Sequence, residues 1–268
     1  MVKPIKETSP PRLKPFPDRS LLQEPSMLSY RSLLVFSRFM LLSMFMLPGV
    51  NLAAVNIDKT RIVFNAGDTA QSVNLINKAE SPAIVQIWTD EGDIHLSPDK
   101  SKTPVMAMPP IFNMQPGEVR SVKLMLTTRS ALAPDKETLY WLNLYQIPAI
   151  KKSDGQNPRK LILPLRLRLK VFVRPTGLRA PQPEDAKKLN FILKGQELKI
   201  TNPTPWYMSL NAKVDNAVLR DIMVQPHSYV LLSPSTSLNP GSIVSYEVIN
   251  QNGNAEKYHG TLLDTVVH

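Results

Sequence analysis

Apolar and polar residues alternate with a period of two along much of the chain after residue 54. Leucine occupies positions 161, 163, 165, 167 and 169, so an extended strand there would have one face made only of leucine. The opposite face would include Pro164 and the cations Arg166, Arg168 and Lys170. An ordinary core strand explains the leucines but neither the proline nor the cations, so this strand needs a further explanation.

Short alternating segments of this kind fall into two groups. Between residues 54 and 175, about seven of them are separated by glycine, proline and polar residues, as at the turn signal QPGE (115–118). A second group begins after residue 176 and continues towards residue 268. Such spacing is typical of immunoglobulin-like sandwiches. We therefore predict an all-β protein with two immunoglobulin-like β-sandwich domains, over residues 54–175 and 176–268.

The N-terminal segment has a different pattern. Two arginines precede an apolar run at residues 39–47, and small residues follow around Ala53. This layout is typical of a secretory signal peptide, and the run is short for a membrane span, which needs about 20 residues. We predict that residues 1–53 are an N-terminal extension and signal peptide, with cleavage near Ala53 and Met27 as a second candidate start. An uncleaved signal anchor is the alternative interpretation.

The composition argues against several classes of function. The chain has no cysteine, which excludes a disulfide framework and a thiolate metal site. Its four histidines lie far apart, and we find no nucleophile elbow, phosphate-binding loop or dinucleotide-binding loop. The net charge is +10, but the basic residues are scattered rather than clustered with aromatic residues. We predict no enzyme activity, no catalytic residue, no metal, no cofactor and no nucleic-acid partner.

One stretch is more restricted than a strand requires, namely LAPDKETLYWLNLYQIPA at residues 132–149. It resembles the signature of the PapD-like family of periplasmic pilus chaperones. The matching residues are Asp135, Lys136, Glu137, Thr138, Trp141, Asn143, Ile147 and Pro148. Three more stretches, AVNIDKTRIVFNAGD, LKVFVRP and ITNPTPWYMSL, are similar to segments of the same family, so the resemblance covers residues 54–268.

The resemblance implies two domains in an L or boomerang arrangement and a periplasmic location. It implies that the chain binds pilus (fimbrial) subunits, lends its Leu161–Leu169 strand to their incomplete sandwiches, and delivers them to an outer-membrane usher. The donor side chains would be Leu161, Leu163, Leu165 and Leu167. Burying one leucine completely stabilises by about 1.5–3 kcal/mol, so four would contribute about 6–12 kcal/mol before ordering costs.

The resemblance also assigns roles to four charged residues. Arg61 and Lys170 match the two cations that bind the C-terminal carboxylate of a subunit, and Glu137 and Arg174 match an interdomain salt bridge. The third member of that bridge is an aspartate in the family, whereas this sequence offers Asn250 or Gln251.

Other residues in and around the leucine strand add detail to this prediction. Pro164 lacks an N–H and removes one hydrogen bond from any ladder. We interpret Arg166 and Arg168 as solvated cations without a particular role. The loop before the leucine strand is short, as in the subclass associated with rod-like pili. A free leucine strand is an aggregation hazard, so we expect ordering or self-association to cover it.

The competing hypothesis is a secreted two-domain structural fibre or adhesin component that uses the strand internally.

Overall fold

The computed structural model describes residues 55–130, 132–149 and 163–264. These residues form sixteen strands, one 3-10 turn (Pro98–Lys100) and one single-turn helix, α1 (Pro183–Ala186). None of the helical segments in these ranges is long and apolar enough to cross a membrane. In chain order the strands are β1 (Val55–Ile57), β2 (Arg61–Phe64), β3 (Ala70–Asn77), β4 (Ala83–Asp90), β5 (Val105–Met108), β6 (Ile111–Met114), β7 (Val119–Leu126), β8 (Thr138–Pro148), β9 (Leu165–Val173), β10 (Asn190–Lys194), β11 (Glu197–Asn202), β12 (Met208–Val214), β13 (Ala217–Val224), β14 (Ser228–Leu232), β15 (Ile243–Ile249) and β16 (Ala255–Asp264).

The first nine strands form a sandwich of two sheets. One sheet has the order β1-β3-β7-β5 and the other β2-β9-β8-β4-β6. Alternation along each strand supplies the core, since Val122, Leu124 and Leu126 of β7 are buried while the residues between them face solvent. These side chains pack in one cluster with buried residues of the second sheet, including Leu142 and Val171.

The last seven strands form a second sandwich with its own core. Their order is β13-β12-β15-β16-β10-β11-β14, and the strands at its two ends contact each other. Strand β16 joins the two halves, because it pairs antiparallel with β15 and then, at residues 262–264, parallel with β10. Leu198, Ile200 and Tyr246 are among the buried residues between the halves. The prediction of an all-β fold with two sandwich domains is confirmed.

The leucine strand starts later than its alternation predicts. Strand β9 begins at Leu165, so Leu163 and Pro164 precede it, and Leu161 lies outside the described residues. Proline has no N–H to donate to a neighbouring strand, which is a physical reason for β9 to start just after it. Pro164 therefore lies outside the ladder between β8 and β9, which begins at Leu165 and loses no hydrogen bond to the proline.

Candidate functional site

One edge of β9 is unpaired over its first half. Strand β8 pairs with β9 along its whole length, from Leu165 to Val173. On the other side, the parallel strand β2 pairs only with residues 170–173. Among the described residues, nothing pairs with this edge between Leu165 and Leu169. Within the described ranges, the backbone groups on this edge have no strand partner.

The leucine face changes from exposed to buried along the strand. Leu163 is 67% exposed and Leu165 is 44% exposed, whereas Leu167 is half-buried and Leu169 is 6% exposed. Val171, two residues further on, belongs fully to the core. The same face therefore serves two purposes: its second half completes this domain, and its first half presents apolar surface.

The unpaired edge ends at two cations on neighbouring strands. Arg61 opens β2 and lies opposite Lys170 of β9 in the parallel register. Both side chains are half-buried against the second domain. Arg61 Nη1 donates to the carbonyl oxygen of Ile249 at 3.1 Å, and Lys170 Nζ donates to Ser209 Oγ at 3.0 Å.

Neither cation is neutralised within the described part of the chain. No carboxylate there forms a salt bridge with Arg61 or Lys170, and the buried Nε of Arg61 has no hydrogen-bond partner. Burial lowers the pKa of Arg61, with Glu137 opposing the change. Burial and the neighbouring charge of Arg61 lower the pKa of Lys170, with Asp221 opposing. Both cations are therefore partly buried without a carboxylate in salt-bridge distance among the described residues.

A second charged group joins the two domains. Glu137 Oε1 accepts a hydrogen bond from Arg174 Nε at 3.0 Å, and Oε2 accepts one from the backbone N–H of Tyr207 in the second domain at 3.0 Å. The backbone N–H of Glu137 donates to the carbonyl oxygen of Pro205, also in the second domain. The Glu137 and Arg174 side chains are at most 3% exposed. Burial raises the pKa of Glu137, and Arg174 opposes that rise.

A neutral amide contacts Arg174 where the resemblance implies an aspartate. Arg174 Nη1 donates to Gln251 Oε1 at 3.3 Å, whereas the Asn250 side chain donates to Glu256. Gln251, Arg174 and Glu137 line a cavity of about 270 Å³ between the domains, together with Arg61 but not Lys170. The structure thus places Arg61, Glu137 and Arg174 around one cavity, with Lys170 on the next strand.

The prediction that Arg166 and Arg168, on the polar face of β9, are solvated cations without a role is wrong. Arg166 and Arg168 are not simply solvated, because both bind Asn143 of β8, and Arg168 Nη2 lies 2.5 Å from the fully buried Asp90. Their guanidinium groups also lie 4.8 Å from the ring centroids of Trp88 and Trp141 respectively. Asn143 in the signature was the one signal that pointed here. No sequence signal marked Asp90, since only the strand order brings it close to β9.

Two family models match this chain. "Pili and flagellar-assembly chaperone, PapD N-terminal domain" matches residues 54–179, and "Pili assembly chaperone PapD, C-terminal domain" matches residues 184–260. The chain belongs to the PapD-like family of pilus-assembly chaperones. The family prediction made from residues 132–149 is thereby confirmed.

Three similar proteins illustrate this membership of the PapD-like family. The chaperone protein MrkB of Klebsiella pneumoniae is 32% identical over 206 residues, which are 74% of this chain and 86% of MrkB. The YadV chaperone, whose crystal structure is known, is 27% identical in sequence to this chain, and the two structures have a TM-score of 0.65. The match covers 78% of this chain and 99% of YadV. The Salmonella enterica SafB chaperone, solved in complex with SafA pilin, has a TM-score of 0.68. At 24% identity over 80% of this chain and 99% of SafB, it shows similarity of fold.

Proposed function

We propose that this chain is a periplasmic chaperone that lends the first half of β9 to a pilus subunit and holds the subunit's C-terminal carboxylate between Arg61 and Lys170. The observation that carries the proposal is the unpaired, leucine-lined edge of β9, which ends at two partly buried cations without a carboxylate in salt-bridge distance among the described residues. Strand addition to an exposed edge is a general mode of recognition. The SafB chaperone binds a pilin, which supports the same class of partner here.

The register defines how a bound strand would run. Strand β2 is parallel to β9 and begins at Arg61, where the unpaired edge ends. A subunit strand that occupies the edge would lie in line with β2, with its carboxylate beside Arg61 and Lys170. It would therefore run parallel to β9. The edge from Leu163 to Lys170 comprises eight residues, or about 23 Å for the steps between them at roughly 3.3 Å each.

The leucines and the cations would contribute differently to binding. Because Leu165 and Leu167 are already partly covered in the free protein, a subunit gains less than complete burial of every leucine would give. A hydrogen bond to a charged group contributes about 1.5–3 kcal/mol, so the two cations rank beside the leucines in energy. They also fix the register, since a slip by one residue would exchange the two faces of the bound strand. Delivery to an outer-membrane usher completes the proposal.

Co-purification from the periplasm of the source cell tests this function. The C-terminally tagged protein is compared with Arg61→Ala, Lys170→Ala and, as a matched control, Lys123→Ala, which removes an exposed cation of β7. We expect small secreted β-rich proteins, identified by mass, to accompany the wild type and Lys123→Ala and to be lost from the other two. Retention of the same partners by Arg61→Ala and Lys170→Ala would contradict the carboxylate anchor.

A further inference from the structure

The two arginines of β9 share one acceptor on the neighbouring strand. Asn143 Oδ1 accepts hydrogen bonds from Arg166 Nε at 2.9 Å, Arg166 Nη2 at 2.7 Å and Arg168 Nε at 3.1 Å. Arg166 Nη1 also donates to the carbonyl oxygen of Ile94 in the loop after β4. These contacts lie on the face of β9 opposite to its leucines, so they do not form part of the apolar surface that the leucines present.

Asp90 is the charged centre of this group. It is the last residue of β4 and is fully buried. Its Oδ1 accepts hydrogen bonds from Arg168 Nη2 at 2.5 Å and from the backbone N–H of Gly92 at 2.7 Å. Its Oδ2 accepts one from Asn143 Nδ2 at 2.6 Å and lies 3.7 Å from Arg166 Nη2. One carboxylate therefore links β4, β8, β9 and the loop after β4.

Two tryptophans fix the planes of the same arginines. The Arg166 guanidinium lies 4.8 Å from the ring centroid of Trp88, and the Arg168 guanidinium lies 4.8 Å from that of Trp141. Stacking on a ring face restricts the rotamers of a long side chain and adds attraction to the positive charge. Hydrogen bonds and rings together hold each arginine from two directions.

The position of this group coincides with the unsupported part of the strand. Residues 165–169 have β8 on one side and no neighbour among the described residues on the other, whereas residues 170–173 also pair with β2. A strand held on one side loses free energy of binding if it must be ordered when a partner arrives. Since side chains alternate between faces, a slip by one residue would place Arg166 or Arg168 where leucines should point.

We propose that Asp90 is a positioning residue that holds residues 165–169 of β9 extended and in register before a partner binds. It acts through Arg168 and Asn143 and does not itself touch the partner. The proposal rests on the proposed function of β9 as a donor strand. In this proposal, contacts on the polar face of β9 hold the leucines on its apolar face in position before a partner binds.

Hydrogen exchange and peptide binding of Asp90→Asn test this role. The probe is a nine-residue peptide of alternating valine and serine with a free C-terminal carboxylate, compared with its C-terminal amide. The matched control is Asp185→Asn, because Asp185 is another buried aspartate held by two cations, Arg179 and Lys188, but in the second domain. Arg166→Gln is a milder second variant, since it removes two donors to Asn143 and leaves Asp90 paired with Arg168.

We expect Asp90→Asn to speed amide exchange at least tenfold between residues 165 and 169, with a smaller change at 170–173 and in β3 and β7. Affinity for the free-acid peptide should fall about tenfold. Arg166→Gln should show the same local pattern with a smaller factor, and Asp185→Asn should leave exchange in β9 and affinity unchanged.

Exchange in Asp90→Asn that is unchanged at 165–169, or raised by the same factor throughout the first domain, would overturn the positioning role. The wild type reports separately on the proposed function. If it binds the free acid no better than the amide, while Asp90→Asn still loosens residues 165–169 selectively, the carboxylate anchor fails and the ordering of β9 by Asp90 stands.

Discussion

Replacing Leu163 and Leu165 together by serine should separate partner binding from folding. The two residues are 67% and 44% exposed in the free protein. Complete burial of a leucine contributes about 1.5–3 kcal/mol, so covering the exposed fractions contributes about 1–2 kcal/mol for Leu163 and about 0.7–1.3 kcal/mol for Leu165. The double substitution should weaken binding by about 2–3 kcal/mol, which is roughly 30- to 150-fold in the dissociation constant.

The free energy of unfolding should depend less on Leu163 and Leu165 than on the buried Leu169 of the same face. Because Leu163 is about one third buried and Leu165 just over one half buried, we expect the double replacement to lower the free energy of unfolding by about 1–3 kcal/mol, or about 0.5–1.5 kcal/mol per residue. Leu169 lies on the same face but is 6% exposed, so Leu169→Ser should cost at least about 2–5 kcal/mol. Ile243→Ser is the matched control for the loss of an exposed apolar side chain, since Ile243 is 68% exposed on β15.

The assay combines urea unfolding of each variant with titration of the co-purified secreted partner. A Leu163 and Leu165 double variant that binds as tightly as the wild type, and loses as much stability per substituted residue as Leu169→Ser, would refute these roles of the leucines. That result would mean that these leucines belong to the core of this chain, as the structural-fibre hypothesis requires.

Three further predictions concern the cation pair and the domain contact. Affinity for the free-acid peptide should fall as pH rises through the lowered pKa of Lys170, because only the protonated amine attracts the carboxylate; Lys170→Arg should remove this fall in an anisotropy titration from pH 7 to 10. Glu137→Ala leaves Arg174 buried without its carboxylate and should cost about 3–5 kcal/mol in urea unfolding, whereas Glu137→Gln should cost less because it keeps an acceptor for the N–H of Tyr207. Gly253→Ala should lower the melting temperature, since its φ is +88° and its Cβ would lie 2.3 Å from Oγ1 of Thr60 in the first domain; adding Thr60→Ala should restore part of the loss.

Local patterns predicted the fold class and identified the leucine-faced strand, β9. Alternating apolar residues and turn signals identified two β-sandwiches, because a strand with one buried face must repeat every second residue. The same pattern did not define where β9 begins. Leucine continues its alternation to position 161, but Pro164 cannot donate to a ladder, and the strand starts at Leu165.

Charged residues were predictable only where a motif marked them. The resemblance to the pilus-chaperone family indicated Glu137, Arg174, Arg61 and Lys170, and the structure gives their contacts. Asp90 was missed because its environment depends on strand order, which brings the end of β4 beside Asn143 of β8 and, across it, Arg168 of β9. No spacing along the chain encodes that contact. The burial of the salt bridge was likewise visible only once the domains were packed together.

A photocrosslink from the leucine face tests the central claim most directly. A benzoylphenylalanine at position 165, expressed in the source cell, is compared with the same residue at position 243, and the linked peptides are identified by mass. We predict that position 165 links to the C-terminal strand of a small secreted β-rich protein, that Arg61→Ala and Lys170→Ala abolish this link, and that position 243 does not form it. Links from position 165 that fall only within this chain would contradict a donor strand.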